Sequence, residues 1–224
     1  MKQVVVYFAT RNGQTQRIAA HVAALMREQG FSVEVQQVKG AECELSPGRY
    51  HGAVLAAPVH IGRHLPEFTQ FVKDHISALY SLPTAFISVS LSQAGAENIE
   101  SSPEKRSRAK EEVRRIIDEF VDRTGWHPTA VSPVAGALAY TKYNPLIRFV
   151  MRWIARKEGA STDTSCDHEF TDWRALDRFV HQFSRGIELP TGSTTDSVPV
   201  AEELAVASAR TVPETRSSRG DNDK

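Results

Sequence analysis

The 224-residue chain is 41% hydrophobic and 24% charged, a balance that allows a folded core and argues against a disordered or membrane-spanning polypeptide. Its 27 Lys and Arg against 27 Asp and Glu give a formal net charge of zero, so no bulk attraction to nucleic acid is expected and local patches must do any steering. Cys43 and Cys166 stand alone, without a Cys-x-x-Cys pair or a His at zinc spacing, so no disulfide framework and no metal site are expected, and a reducing cytoplasm suits the chain. The N-terminus reads as the start of a strand rather than a signal peptide.

Residues 4–8, Val-Val-Val-Tyr-Phe, are β-branched and aromatic, which predicts a strand buried on both faces. The run breaks at Thr10, Arg11, Asn12, Gly13, Gln14 and Thr15, where hydroxyls, amides and a glycine coincide with the start of a helix. A helix N-terminus presents unpaired N–H groups to an anion, so this turn is a candidate phosphate cradle. It equally suits an ordinary helix cap by Thr10 or Asn12. It is neither a Walker loop nor a Gly-x-Gly-x-x-Gly fingerprint.

Ile18, Val22, Leu25 and Met26 recur at helical spacing over 15–29, with Gly30 as a stop. Alternation over 31–38 predicts a second strand with one wetter face, hence an edge strand. A third apolar run at 52–57 leads into a second candidate site loop: Pro58, Val59, His60, Ile61, Gly62, Arg63 and His64. Phe68, Phe71, Val72, Ile76 and Leu79 predict one amphipathic helix, and 84–89 a fourth strand. The polar stretch 90–107, beginning at Ser90 and Leu91, reads as a long functional loop. A helix at 108–123 and a strand at 128–135 follow, and a helix at 172–184 closes the fold. Residues 186–224 read as a mobile tail, too poor in large apolar residues to build a core.

Strands alternating with helices predict an α/β fold with right-handed crossovers and a doubly wound, five-stranded parallel sheet in the flavodoxin-like order 2-1-3-4-5. Residues 136–170 form a long insertion before the last helix of a domain spanning 1–185. In such sheets ligands bind beyond the C-terminal strand ends, where the three candidate loops converge.

Residues 144–157 read as a basic amphipathic helix. Arg148, Arg152 and Arg156 recur every four residues, while Leu146, Ile147, Val150, Met151, Trp153 and Ile154 cover much of the remaining surface. This pattern suits a helix lying on an anionic membrane, each charge contributing about 1 kcal/mol, or equally one packed on protein with its arginines in water.

The segment Phe8-Ala9-Thr10-Arg11-Asn12-Gly13-Gln14-Thr15 resembles the phosphate loop of the flavodoxin-type, menaquinone-dependent protoporphyrinogen oxidases. In the same order, Gly62, Leu82 to Val89, Pro103 to Arg106, Ala135 to Leu138 with Tyr140 and Tyr143, Thr162 to Thr164, and Thr171 to Trp173 are similar to that family, covering the chain to about Ser184. The resemblance implies FMN as cofactor, protoporphyrinogen IX as substrate and a membrane quinone as acceptor, in heme biosynthesis at the inner face of the cytoplasmic membrane. It places the phosphate on residues 10–15 and the flavin ring between Pro58, Val59, His60, Ile61 and Gly62 on one side and Ser90 and Leu91 on the other. Arg63 and His64 are candidates for the substrate carboxylates, and His60 and His64 for a catalytic base, the alternative being that the histidines are solvated loop residues. A homo-oligomer stays open. The competing functions are a flavodoxin-like electron carrier, which the neutral charge disfavours, and a flavodoxin-fold interaction protein lacking FMN.

Overall fold

The computed structural model describes residues 1–39, 44–46, 48–138 and 168–188, all within one unit spanning Met1–Leu189. The helix expected at 144–157, residues 139–167 of the expected insertion and the tail from 189 lie outside the described residues.

β1 (Gln3–Phe8) forms because its apolar residues find cover on both faces, Val4 to Tyr7 having no solvent exposure. It lies between β2 (Ser32–Gln37) and β3 (Gly52–His60), parallel to both. The sheet continues through β5 (Thr84–Ser90) to β6 (Ala130–Ala135), in the order β2-β1-β3-β5-β6. Counted without the short β4 (Arg63–His64), this is the expected 2-1-3-4-5 arrangement, with β2 at the edge.

Side-chain alternation along β1 divides the core in two. Val4, Val6 and Phe8 face α1 (Gln14–Glu28) and α6 (Trp173–Glu188), meeting Ile18, Val22, Met26, Leu176 and Val180. Val5 and Tyr7 face α2 (Pro66–Asp74) and α5 (Pro103–Thr124), meeting Phe68, Phe71, Phe120 and Trp126. Each such side chain stabilises the fold by roughly 1.5–3 kcal/mol on burial.

Three expectations change. The helix predicted to run to Leu79 breaks at His75 (φ −112°), whose ring bonds the Phe71 carbonyl, and resumes as α3 (Ile76–Leu79). The stretch 90–107 is not one loop. Ser90 caps α4 (Leu91–Glu97) by accepting the Gln93 N–H at 3.1 Å, and Ser102 with Pro103 starts α5 several residues before Arg108. The stretch is polar and carries Gly95 and Pro103, which suits a loop, but a Ser followed by Pro marks a helix start. The closing helix also runs on to Glu188, so residues 186–188 belong to the fold and not to the tail. A two-stranded antiparallel ribbon of β7 (Ala137–Leu138) and β8 (His168–Glu169) was not anticipated.

The parallel sheet brings its C-terminal ends to one edge. Ala9 donates to the Ala56 carbonyl, Val38 to that of Phe8, and Gly136 to that of Ser90. Residues 9–15, 58–64, 90–91 and 135–136 thereby share one end of the molecule.

Candidate functional site

The turn after β1 is shaped by Thr10 and Gly13. Thr10 Oγ1 accepts the Gly13 N–H at 3.0 Å, and Gly13 takes φ 93°, a left-handed conformation that a side chain would strain by about 1–2 kcal/mol. α1 then begins at Gln14 with no side-chain cap and no acidic residue in its first turn. Its first N–H groups and the positive end of its dipole are left for an external anion. Arg11 and Asn12 are exposed, while Thr15 is buried at 2% exposure.

The Gln14 side chain has another task. Its Nε2 donates to Glu169 Oε1 and to Thr171 Oγ1, both at 2.9 Å, while Thr171 donates its own hydroxyl to the Ala135 carbonyl at 2.8 Å. Arg17 pairs with Glu169 at 3.1 Å and donates to Gln14 Oε1 at 3.2 Å. With Phe170 donating to the Gly136 carbonyl, the end of β6, the ribbon strand β8 and the start of α1 are joined by hydrogen bonds. The sequence could not show this corner, because Gln14 and Glu169 lie 155 positions apart. Its one trace in the sequence is the Thr171-Asp172-Trp173 segment, which the family resemblance includes.

The second loop is a hairpin rather than a loop. β3 runs through Pro58 and Val59 to His60, and β4 folds back so that Val59 faces His64 and His60 faces Arg63. Ile61 (φ 51°) and Gly62 (φ 71°) form the turn, both left-handed, as tight hairpin turns demand. A β-branched residue is unusual there, and Ile61 is 86% exposed at the tip. Arg63 is exposed and has no ion-pair partner among the described residues. His60 is held below the usual histidine range by desolvation and then by the charge of Arg11, so the first and second loops meet electrostatically.

His64 is placed differently from the expectation. It is buried at 3% exposure, its ring edge-on to Phe86 (5.1 Å) and Phe120 (4.9 Å), with Nε2 3.3 Å from Ser88 Oγ. In antiparallel pairing successive residues alternate sides, so Arg63 outward puts His64 inward. Burial pushes its pKa down to about 4, opposed in part by the Pro58 carbonyl, while Nδ1 lacks a hydrogen bond of good geometry. His64 is a core residue, and neither contact with substrate carboxylates nor a base at the mouth is compatible with this position.

At the third loop Ser90 is buried at 5%, its hydroxyl bound to the Gln93 N–H, and Leu91 begins α4 half-buried. Among the described residues no group of three or more His, Cys, Asp or Glu could hold a metal ion, and no helix is long and apolar enough to cross a membrane.

The uncapped helix start, the left-handed glycine and the absence of a first-turn carboxylate fit a phosphate-bearing ligand at the switch point between β1 and β3. Residues 5–165 match the family described as Flavodoxin domain, and the chain belongs to that family. It is similar to "Protoporphyrinogen IX dehydrogenase [quinone]" of Escherichia coli (strain K12), with 31% identity over 189 residues, covering 84% of this chain and 98% of the relative. A protein of the same name from Leishmania major is 27% identical over 181 residues, covering 80% of this chain and 74% of the relative. A short-chain flavodoxin associated with a PDU bacterial microcompartment aligns with TM-score 0.48 and 12% identity, over 84% of this chain and 99% of that one.

The buried His64 generates a pH prediction. Its folded pKa near 4 lies below the 6.5 of the free side chain, so between those values the unfolded chain binds the extra proton. The stability present above pH 6.5 should fall by roughly 2 kcal/mol as the pH drops to about 4.5. Urea unfolding of His64→Phe should lack this increment relative to the unaltered protein. An identical pH slope in both would contradict the burial argument.

Proposed function

We propose that this protein is an FMN-dependent dehydrogenase that oxidises protoporphyrinogen IX to protoporphyrin IX, with a membrane quinone as acceptor, in heme biosynthesis. The observation that carries the reading is the near end-to-end similarity to a dehydrogenase of that name, and the site chemistry agrees with it. The bound flavin would accept the hydride equivalents and deliver the electrons onward.

The chain's own residues would bind and orient. Backbone N–H groups at Gln14 and Thr15 would hold the phosphate without a lysine, as neutral donors and the helix dipole suffice for a dianion. Pro58, Val59, Ile61 and Gly62 would border one side of the ring system and Ser90 and Leu91 the other. Ile61 supplies exposed apolar surface at the hairpin tip. Arg63 would engage a substrate propionate, since a guanidinium matches a carboxylate through two parallel hydrogen bonds. His60, whose neutral form is favoured by desolvation and by the charge of Arg11, would accept a proton from the substrate.

The 144–157 stretch would bring the enzyme to the inner face of the cytoplasmic membrane, where the quinone resides. This part of the proposal rests on its sequence, Arg148, Arg152 and Arg156 supplying charge and Trp153 an interfacial ring.

Reconstitution with FMN, followed by anaerobic incubation with protoporphyrinogen IX and a menaquinone analogue, should give a flavin-dependent rise in porphyrin fluorescence. Flavin bound without that rise would point to an electron carrier. No flavin bound would reject both. Charge reversal at Arg148, Arg152 and Arg156 should weaken binding to anionic liposomes by about 2 kcal/mol per residue, one for each unit of charge changed, with salt eroding the binding of the unaltered protein. Salt-insensitive binding that survives reversal would contradict the membrane assignment.

A further inference from the structure

We propose that Thr171 is a positioning residue for the phosphate end of the cofactor, acting through Gln14, with the Arg17–Glu169 pair keeping the same corner electrically neutral. The inference rests on the flavin reading above and goes beyond it, because neither Thr171 nor Glu169 belongs to the phosphate turn.

Gln14 is the first residue of α1, so its backbone N–H is among the groups that must face the anion. A glutamine at this place has a long side chain that could fold back over the helix start and compete for those N–H groups. Here the carboxamide is held away. Nε2 is divided between Thr171 Oγ1 and Glu169 Oε1, both at 2.9 Å, and Oε1 accepts from Arg17 at 3.2 Å. Thr171 is itself fixed by its hydroxyl bond to the Ala135 carbonyl and is only 9% exposed, so the anchor belongs to the rigid end of β6. A preorganised donor set binds more tightly than one that must be ordered by its ligand.

Charge matters equally. Glu169 places a carboxylate within hydrogen-bond reach of the first helical residue, where a phosphate dianion would be repelled. The Arg17 guanidinium at 3.1 Å offsets that charge. The pair is partly solvated, so it adds little to folding stability, but it removes a like charge from the ligand's immediate surroundings.

The test compares two ligands that differ only in the phosphate. FMN and riboflavin are titrated into full-length apoprotein by flavin fluorescence. Thr171→Val should raise the FMN Kd about tenfold, the scale of one or two lost hydrogen bonds, with the riboflavin Kd changing less than about twofold. Thr171→Ser, which keeps the hydroxyl, should restore FMN binding. Arg17→Ala should also weaken FMN selectively, and adding Glu169→Gln to it should reverse the loss. Equal losses for both ligands in Thr171→Val would mean a merely structural role and overturn the proposal. So would unchanged FMN affinity. If the unaltered apoprotein bound riboflavin and FMN equally, the phosphate cradle itself would fall, and if it bound neither, the flavin reading would fall with it.

Discussion

The arrangement of this protein depends on delivering a fully buried strand into a helix whose first turn is left uncapped. β1 is enclosed between β2 and β3 and covered on both faces, which fixes where Phe8 ends and therefore where α1 begins. Thr10 and Gly13 then turn the chain without any side chain occupying the helix start. A side-chain cap would have stabilised the helix by about 1 kcal/mol. Its omission leaves donors and dipole for a ligand, and the wide apolar contact of α1 with the sheet makes the omission tolerable.

Around that point the charges are arranged locally, as a neutral chain requires. Arg11 and Arg63 present cations at the mouth, and the first of them helps keep His60 neutral. Glu169, whose carboxylate bonds the Gln14 side chain at the helix start, is offset by Arg17. The hairpin carries an inside and an outside role in adjacent residues. Arg63 is exposed, while His64 goes into an aromatic cluster with Phe86 and Phe120. A two-residue strand is enough to separate a candidate recognition residue from a core one.

Much of this was legible in the sequence because it is local or periodic. The strands, their order and the edge position of β2 follow from runs such as Val4 to Phe8 and from the alternation at 31–38. The turn at 10–15 could be found from Gly13 and its polar neighbours. What escaped depended on pairing. Pro58 to His64 read as a loop because nothing in seven residues announces a turn built on Ile61 and Gly62, where Asn-Gly would be usual. His64 then read as a mouth residue, since inward and outward faces exist only once the strand is known. The short helix α4 was hidden in a polar stretch whose Ser90 cap also suits a turn. The Gln14–Glu169–Thr171 corner joins residues 155 or more positions apart, and no local pattern encodes it.

Under the proposed function the backbone at the start of α1 would hold the phosphate of the cofactor. Amide chemical shifts measure this directly, because an N–H that donates to a phosphate moves strongly downfield. In ¹⁵N-labelled apoprotein titrated with FMN and then with riboflavin, the amides of Gln14 and Thr15 should shift markedly with FMN and little with riboflavin. FMN binding that leaves these two amides unmoved, with shifts confined to other parts of the molecule, would contradict the account.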